Sequence, residues 1–444
     1  MGRQAPRGRQ RRRTRKLKAP DPASARLEGD HVVIASRKVT SATVRHVVRG
    51  LHEARRRNQR GLTLDAQEVE WGLPSAMLQI AAHVDNLRTR GMHFDLLLPQ
   101  DRDAARLFEN AGWAHLLAPH LNDPPSNHID RHLPARRYRE SSELVGLREE
   151  VLDFSMRFLG KLRPELLRAI EWSLDEITDN VLNHAEAKYG GILQVDAPKK
   201  HGFLQITVAD GGRGIPASMR EGHPQLHYDQ NAVGEAIKVG VTRSPEVGQG
   251  NGLAGALRVA TFSGGVFRVN SYRGYVAAEA KPSQSQKQIT RGSLPEEALY
   301  GTVVDLQIRT DTNFDVADAL SVVNWVDDWG YLEAKYGTEN ELVFRLADET
   351  RGLGSRDAGV GIRNKLETLL AADSTRAVVL DWSGVPTISS SFADEFVGKL
   401  LVKLGPVLFN SRIRFVGMEP FVAALVDKAM RQRAAQDFAR ERAA

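Results

Sequence analysis

The 444-residue chain has no cysteine. Disulfides and thiolate metal sites are therefore excluded, and a reducing compartment suits it. No run approaches the roughly eighteen apolar residues that a membrane-spanning helix needs. No apolar stretch follows the basic start, so no secretory signal is expected either. Together these absences point to the cytoplasm. No acid precedes Asp21, whereas Arg3, Arg7, Arg9, Arg11, Arg12, Arg13, Arg15, Lys16 and Lys18 place nine positive charges in the first eighteen residues. The whole chain has a formal net charge of +6, so the remainder carries −3. The tail also lacks aromatic residues, which argues against base stacking. Sequence-independent contact with nucleic acid or an anionic surface remains open to it.

Hydrophobic residues make up 41% of the chain, enough for two to four domains with real cores. Residues 1–27 read as a basic disordered tail. Residues 28–122 alternate strand and helix, with a Ser41 cap on the first helix and one last helix over 102–117. Residues 123–142, rich in proline and charge, read as a linker. Residues 143–312 begin with helices over 143–160 and 164–187, followed by strands. The expected fold is α+β, with helices on one face of a mostly antiparallel sheet. Residues 313–444 return to strand–helix alternation. Two segments align without a gap, pairing Asp65 with Asp381, Val69 with Val385 and Pro74 with Ser390, so two copies of one small α/β domain type are expected to flank the centre.

The central segment carries the chemistry. LDEITDNVLNHA spaces Glu176, Asn180 and His184 four residues apart, along one helix face. Magnesium prefers oxygen ligands and keeps several waters, so the Asn180 carboxamide plus phosphate oxygens is a sufficient set. Glu176, one turn earlier, is placed to polarise a water or hydroxyl. A strand ends at Asp210, whose carboxylate can accept from an adenine amino group, and Gly212 and Gly214 follow. In GQGNGLAG, Gly248, Gly250 and Gly252 free backbone N–H groups ahead of a helix beginning near Leu253, a phosphate-binding arrangement. Gly301 and Thr302 open the last strand, with a hydroxyl near the base. The long connection 217–251 reads as a lid. Asp175 and Asp179 lie about 100° round the helix from the pair and read as solvated or supporting. His184 reads as structural.

The three ordered motifs resemble the gyrase, chaperone, histidine-kinase and MutL ATPase superfamily, known as GHKL, over about residues 143–312. Glu176 and Asn180 match its Glu-x-x-x-Asn motif. Asp210, Gly212 and Gly214 match Asp-x-Gly-x-Gly. Gly248, Gly250, Gly252 and Leu253 match the Gly-x-Gly-x-Gly-Leu type. The resemblance implies a Bergerat α/β sandwich that binds ATP with Mg²⁺ under a lid. The dimerising helix with a phosphoaccepting histidine is not evident, since His46, His52 and His83 lie in the first domain. The terminal segments are similar to STAS domains, the C-terminal one to a STAS-like family of unknown function through SSSFADEF and VGKL. The resemblance makes Ser390 a candidate phosphoacceptor, with Pro74 at the equivalent N-terminal position. Ser391 with Asp394 also fits a helix cap, and Trp382 and Phe392 read as core.

The reading is a Mg-ATP-binding regulatory protein, a slow ATPase switch that presents STAS-like domains to a protein partner. One alternative is a serine protein kinase of the anti-sigma type acting on a STAS domain. The other is a non-catalytic nucleotide-binding module. The oligomeric state is left open, with a homodimer among the alternatives.

Overall fold

In a computed structural model of the chain, the described residues are 24–125, 132–160, 162–198, 202–238, 252–279, 288–294, 299–320, 330–338, 340–349 and 352–441. They form a mixed α/β, multidomain protein with several sheets, and none of the sheets closes into a barrel. No helix among them is long and apolar enough to cross a membrane. Most of the basic tail lies outside the described residues.

The N-terminal part contains strands β1 (Arg26–Glu28), β2 (His31–Val33), β3 (Lys38–Val39), β4 (Gly61–Asp65), β5 (Trp71–Gly72) and β6 (His93–Leu97). Its helices are α1 (Ser41–Arg56), α2 (Pro74–Arg88), α3 (Arg102–Asn110) and α4 (Trp113–Leu117). Strands β2, β4 and β6 are parallel neighbours, β1 pairs antiparallel with β2, and β3 pairs with β5 apart from them. Proline at the start of α2 suits a position whose N–H has no helical partner. The expected Ser41 cap is Thr40 instead. The expected single helix over 102–117 is broken at Gly112, which adopts a left-handed φ of 77°.

The central sheet has seven strands: β7 (His132–Tyr138), β8 (Gly191–Asp196), β9 (Phe203–Asp210), β10 (Val266–Tyr272), β11 (Gly274–Glu279), β12 (Gln288–Ser293) and β13 (Leu299–Arg309). Every pairing is antiparallel, in the order β12-β11-β10-β13-β9-β8-β7. The helices are α5 (Ser141–Phe158), α6 (Pro164–Asn180), α7 (Gly214–Gly222), α8 (Asp229–Ala236) and α9 (Gly252–Phe262). Strand β7 falls inside the stretch expected as a linker. It is an edge strand with an irregular register around Pro134, a place where proline costs no ladder bond.

Side-chain alternation gives this sheet two different faces. Leu204, Ile206 and Val208 of β9 pack with α5, α6 and α9. Ile192, Ala209 and Val303 point the other way and join the core of the N-terminal part. Helix α2 lies on that second face, against β9 and β13. Trp113 Nε1 donates to Gln194 Oε1 at 2.8 Å, and Arg137 grips Asp85 with two bonds of 2.5 and 2.8 Å. The sheet is thus covered on both faces, where the sequence predicts helices on one.

The C-terminal part has helices α10 (Val316–Leu320), α11 (Gly330–Tyr336), α12 (Leu346–Glu349), α13 (Arg356–Ala372), α14 (Ser390–Ala393), α15 (Lys399–Arg412) and α16 (Pro420–Glu441). Its strands β14 (Glu341–Arg345), β15 (Ala377–Asp381) and β16 (Ile413–Val416) are parallel, in that order. Helix α13 packs on α5, and one apolar core runs through both. At that junction the fully buried Lys365 ammonium contacts Glu349 and, at 3.1 Å, Asp153 of α5. Asn364 Nδ2 donates to the Arg157 carbonyl at 3.1 Å and Arg157 Nη2 to the Glu349 carbonyl at 3.0 Å. Trp382 and Phe392 are core residues, fully buried as expected.

Candidate functional site

Helix α6 is apolar on its inner face, through Leu166, Leu167, Ile170, Leu174 and Ile177. That face fixes the helix on the sheet and leaves Glu176 and Asn180 half-buried at its end. Asn180 Nδ2 donates back to the Glu176 carbonyl at 2.7 Å. With the nitrogen anchored on its own helix, Oδ1 is the carboxamide's remaining polar atom, and a carboxamide oxygen is a magnesium-type donor. Burial, followed by the neighbouring Asp179 and Asp175 carboxylates, raises the Glu176 carboxyl above its ordinary range. That direction favours a general base. Asp175 pairs with Arg148 at 3.0 Å, and Asp179 is exposed.

The chain then makes one turn of π-helix, Val181–Ala185, which includes His184. Such turns bend a helix locally and recur at functional sites. Here the turn receives the loop after β9. Arg213 N–H donates to the Ala185 carbonyl at 2.8 Å, and Arg213 Nε to the His184 carbonyl at 3.1 Å. Gly212 lies so close to the Ala185 carbonyl that a Cβ there would overlap it. Gly214 opens α7.

Asp210 ends β9 and faces Thr302 of β13 across the ladder. It is 3% exposed, and its Oδ1 accepts the Gly212 N–H at 2.8 Å. Burial pushes its carboxyl up to about 7, although bonds from the Gly212 N–H and from the Thr302 backbone and hydroxyl favour the charged form. Ser271 joins these pieces. Its Oγ donates to the Gly301 carbonyl at 2.9 Å, lies 3.1 Å from Thr302 Oγ1, and accepts the Ile215 N–H at 2.9 Å. Tyr138 of β7 is buried, and its phenol is raised by burial and then by Asp210 and Asp179. Neither residue carries a motif, so no sequence signal marks them.

Gly252 opens α9 directly against α6, and a Cβ there would overlap the Glu176 carboxylate. Leu253 is half-buried and packs on the core. Gly248, Gly250 and the end of the expected lid lie outside the described residues. The start of that stretch forms α7 and α8. Glu176, Asn180, Asp210, Gly212, Gly252 and Thr302, dispersed in sequence, are therefore linked through direct contacts and the π turn.

The terminal parts share a local feature. Asp65 closes the middle strand of the parallel trio β2-β4-β6, and its Oδ1 accepts the Gln67 N–H at 3.0 Å. Asp381 closes the middle strand of β14-β15-β16, and its Oδ1 accepts the Ser383 N–H at 2.9 Å. Pro74 and Ser390 then begin α2 and α14. The cap of α14 is Ser389, not Ser391. Its Oγ accepts the Phe392 N–H at 3.0 Å and lies 2.9 Å from Ser391 Oγ. Ser390 is exposed, and Asp394 is held by Arg433 through bonds of 2.6 and 2.7 Å.

No curated protein matches the chain. A family model described as a STAS-like domain of unknown function (DUF4325) matches residues 358–423. Those residues span α13, β15, the serine triplet, β16 and the start of α16, so the C-terminal part of this chain contains a STAS-like domain.

Proposed function

We propose that the central part binds ATP with Mg²⁺ and acts as a slow nucleotide-dependent switch that controls how the flanking α/β domains meet a protein partner. The GHKL resemblance motivates this reading. The observation that carries it is the meeting of the described parts of the three motifs, with Gly252 against Glu176 and Gly212 against the π turn after Asn180. Asp210 supplies a buried acceptor suited to an adenine amino group. Asn180 Oδ1 is the protein oxygen for magnesium. The bound nucleotide would supply a phosphoanhydride as the reactive group. Glu176, with its raised carboxyl, takes the proton of the attacking water or hydroxyl. The shared Asp65 and Asp381 turns support reading the N-terminal part as a second STAS-like copy.

A serine-kinase reading has one observation in its favour. Ser389 caps α14, which leaves the Ser390 hydroxyl exposed at a helix start. Phe392 argues against it, because the STAS resemblance implies a small residue two positions after the acceptor serine, and here a large, fully buried side chain stands there. Incubation with radiolabelled Mg-ATP separates the readings. Free phosphate, absent in Glu176→Ala, supports the switch. Stoichiometric label on Ser390, lost in Ser390→Ala and in Glu176→Ala, supports the kinase. Bound but unaltered nucleotide supports a non-catalytic module.

A further inference from the structure

Asn86 belongs to α2, in the N-terminal part, and is 8% exposed. Its Nδ2 donates to the Gly211 carbonyl at 2.7 Å. That carbonyl and the Gly212 N–H are the two ends of one peptide group, held planar and trans by resonance. The Gly212 N–H points away from Asn86 and donates to Asp210 Oδ1 at 2.8 Å. The Asn86 amide, one rigid peptide and the Asp210 carboxyl therefore form a single chain of hydrogen bonds across two domains.

The surroundings allow little slack. A Cβ on Gly211 would meet the Ala82 carbonyl and the Asn86 backbone N–H of α2. Two further contacts pin α2 to the sheet. The Tyr300 N–H donates to His83 Nδ1 at 3.2 Å, and Arg137 grips Asp85. Burial, and then the nearby His52, Arg90 and Arg55, hold His83 well below its usual range, which keeps its Nδ1 an acceptor. Asn86 Oδ1 is buried with no partner among the described residues. A side chain serving packing alone would carry that cost for nothing.

We propose that Asn86 is a positioning residue for the nucleotide site: through the Gly211–Gly212 peptide it aims and polarises the donor that holds the Asp210 carboxylate. The inference rests on the nucleotide reading of Asp210. A hydrogen bond to a peptide oxygen strengthens the same peptide's N–H as a donor. That donor favours the ionised carboxylate, the form that accepts from an amino group. Among the described residues, the Thr302 hydroxyl from β13 also bonds Asp210, and the Tyr138 phenol from β7 and the Tyr272 phenol from β10 lie within its electrostatic reach. From α2, Asp85 also approaches Gly211, with Arg137 and Arg88 on its carboxylate. The N-terminal part thereby sets the chemistry of a site it does not contain.

The test is carboxyl-carbon NMR titration of Asp210 in the nucleotide-free, full-length protein, comparing wild type with Asn86→Leu. Removing the donor should raise the Asp210 midpoint by roughly half a unit to one unit. A folded Asn86→Leu protein with an unchanged midpoint overturns the proposal. A purely structural role would lower the urea midpoint without moving this titration. If Asn86→Leu does not fold, the wild type decides: the Asn86 side-chain amide should co-titrate with Asp210, and an amide that ignores the Asp210 transition refutes the relay. Calorimetry of Mg-ATP against pH, run in parallel, keeps the two claims apart. Wild type that binds no nucleotide overturns the nucleotide reading, and the titration still judges Asn86.

Discussion

Glu176 and Gly252 touch across the interface of α6 and α9, and the glycine leaves no room for any side chain beside the carboxylate. The contact joins the motif expected to carry the base to the motif expected to carry phosphate. Glu176→Ala should bind Mg-ATP near the wild-type affinity and lose about 10²-fold or more in turnover. Gly252→Ala should displace the carboxylate and lower turnover by a similar order. Phosphate-release kinetics measure both, and full turnover in Gly252→Ala would count against the role of the contact.

One buried and one half-buried carboxyl, Asp210 and Asp196, make stability depend on pH in a stated direction. Asp196 and Asp210 are both pushed up to about 7 by burial, against an unfolded value of about 3.9. The folded protein holds their protons more tightly than the unfolded chain does. The stability they confer is complete below about pH 4 and is lost as pH rises through about 7. Asp373 and Asp394, depressed with the help of hydrogen bonds from Arg376 and Arg433, act oppositely, and their contribution is lost in acid. Urea midpoints should therefore fall from pH 5 to pH 8, and Asp196→Asn should flatten that slope and stabilise the protein at pH 8. Nucleotide affinity should run the other way, rising with pH up to about 7, because the ionised Asp210 is the accepting form. A slope unchanged in Asp196→Asn would contradict the assignment.

How far the sequence reveals this arrangement depends on distance along the chain. The helix carrying Glu176 and Asn180, the strand ending at Asp210 and the paired positions of Asp65 and Asp381 follow from local pattern. Strand β7 does not, because HLPARRY has the proline and charge of a loop, and only an edge position admits it. The Ser389 cap was obscured by two adjacent serines with the same chemistry. Asn86 gave no signal at all, since its partner Gly211 lies in another domain and packing alone brings them together.

The junction of α5 and the C-terminal part should be costly to break. Lys365 is fully buried with Glu349 and Asp153, and Lys335 also reaches both carboxylates, so Lys365→Ala removes the buried cation and leaves the pair to Lys335. A loss of about 3 kcal/mol or more is expected from urea unfolding. Lys365→Met with Glu349→Leu and Asp153→Leu should recover most of it, and equal loss in the triple variant would contradict the ion-cluster explanation.

The basic tail should be separable from the site. Deleting residues 1–20 should leave Mg-ATP affinity unchanged. It should weaken binding to duplex DNA or to anionic vesicles, and that binding should fall steeply between about 50 and 200 mM salt. Absence of any such binding by the full chain at low salt would leave the tail as a solvated leader.

Isothermal titration calorimetry of Mg-ATP and Mg-GTP against wild type and Asp210→Asn, at pH 8 where the wild-type carboxylate is ionised, tests the nucleotide site most directly. An amide at 210 presents donor hydrogens where an acceptor is needed. Wild type should bind ATP in preference to GTP, and Asp210→Asn should lose that preference while remaining folded. Equal ATP affinity in the two proteins, or no ATP binding by wild type, would contradict the adenine-binding role of Asp210 and with it the nucleotide switch.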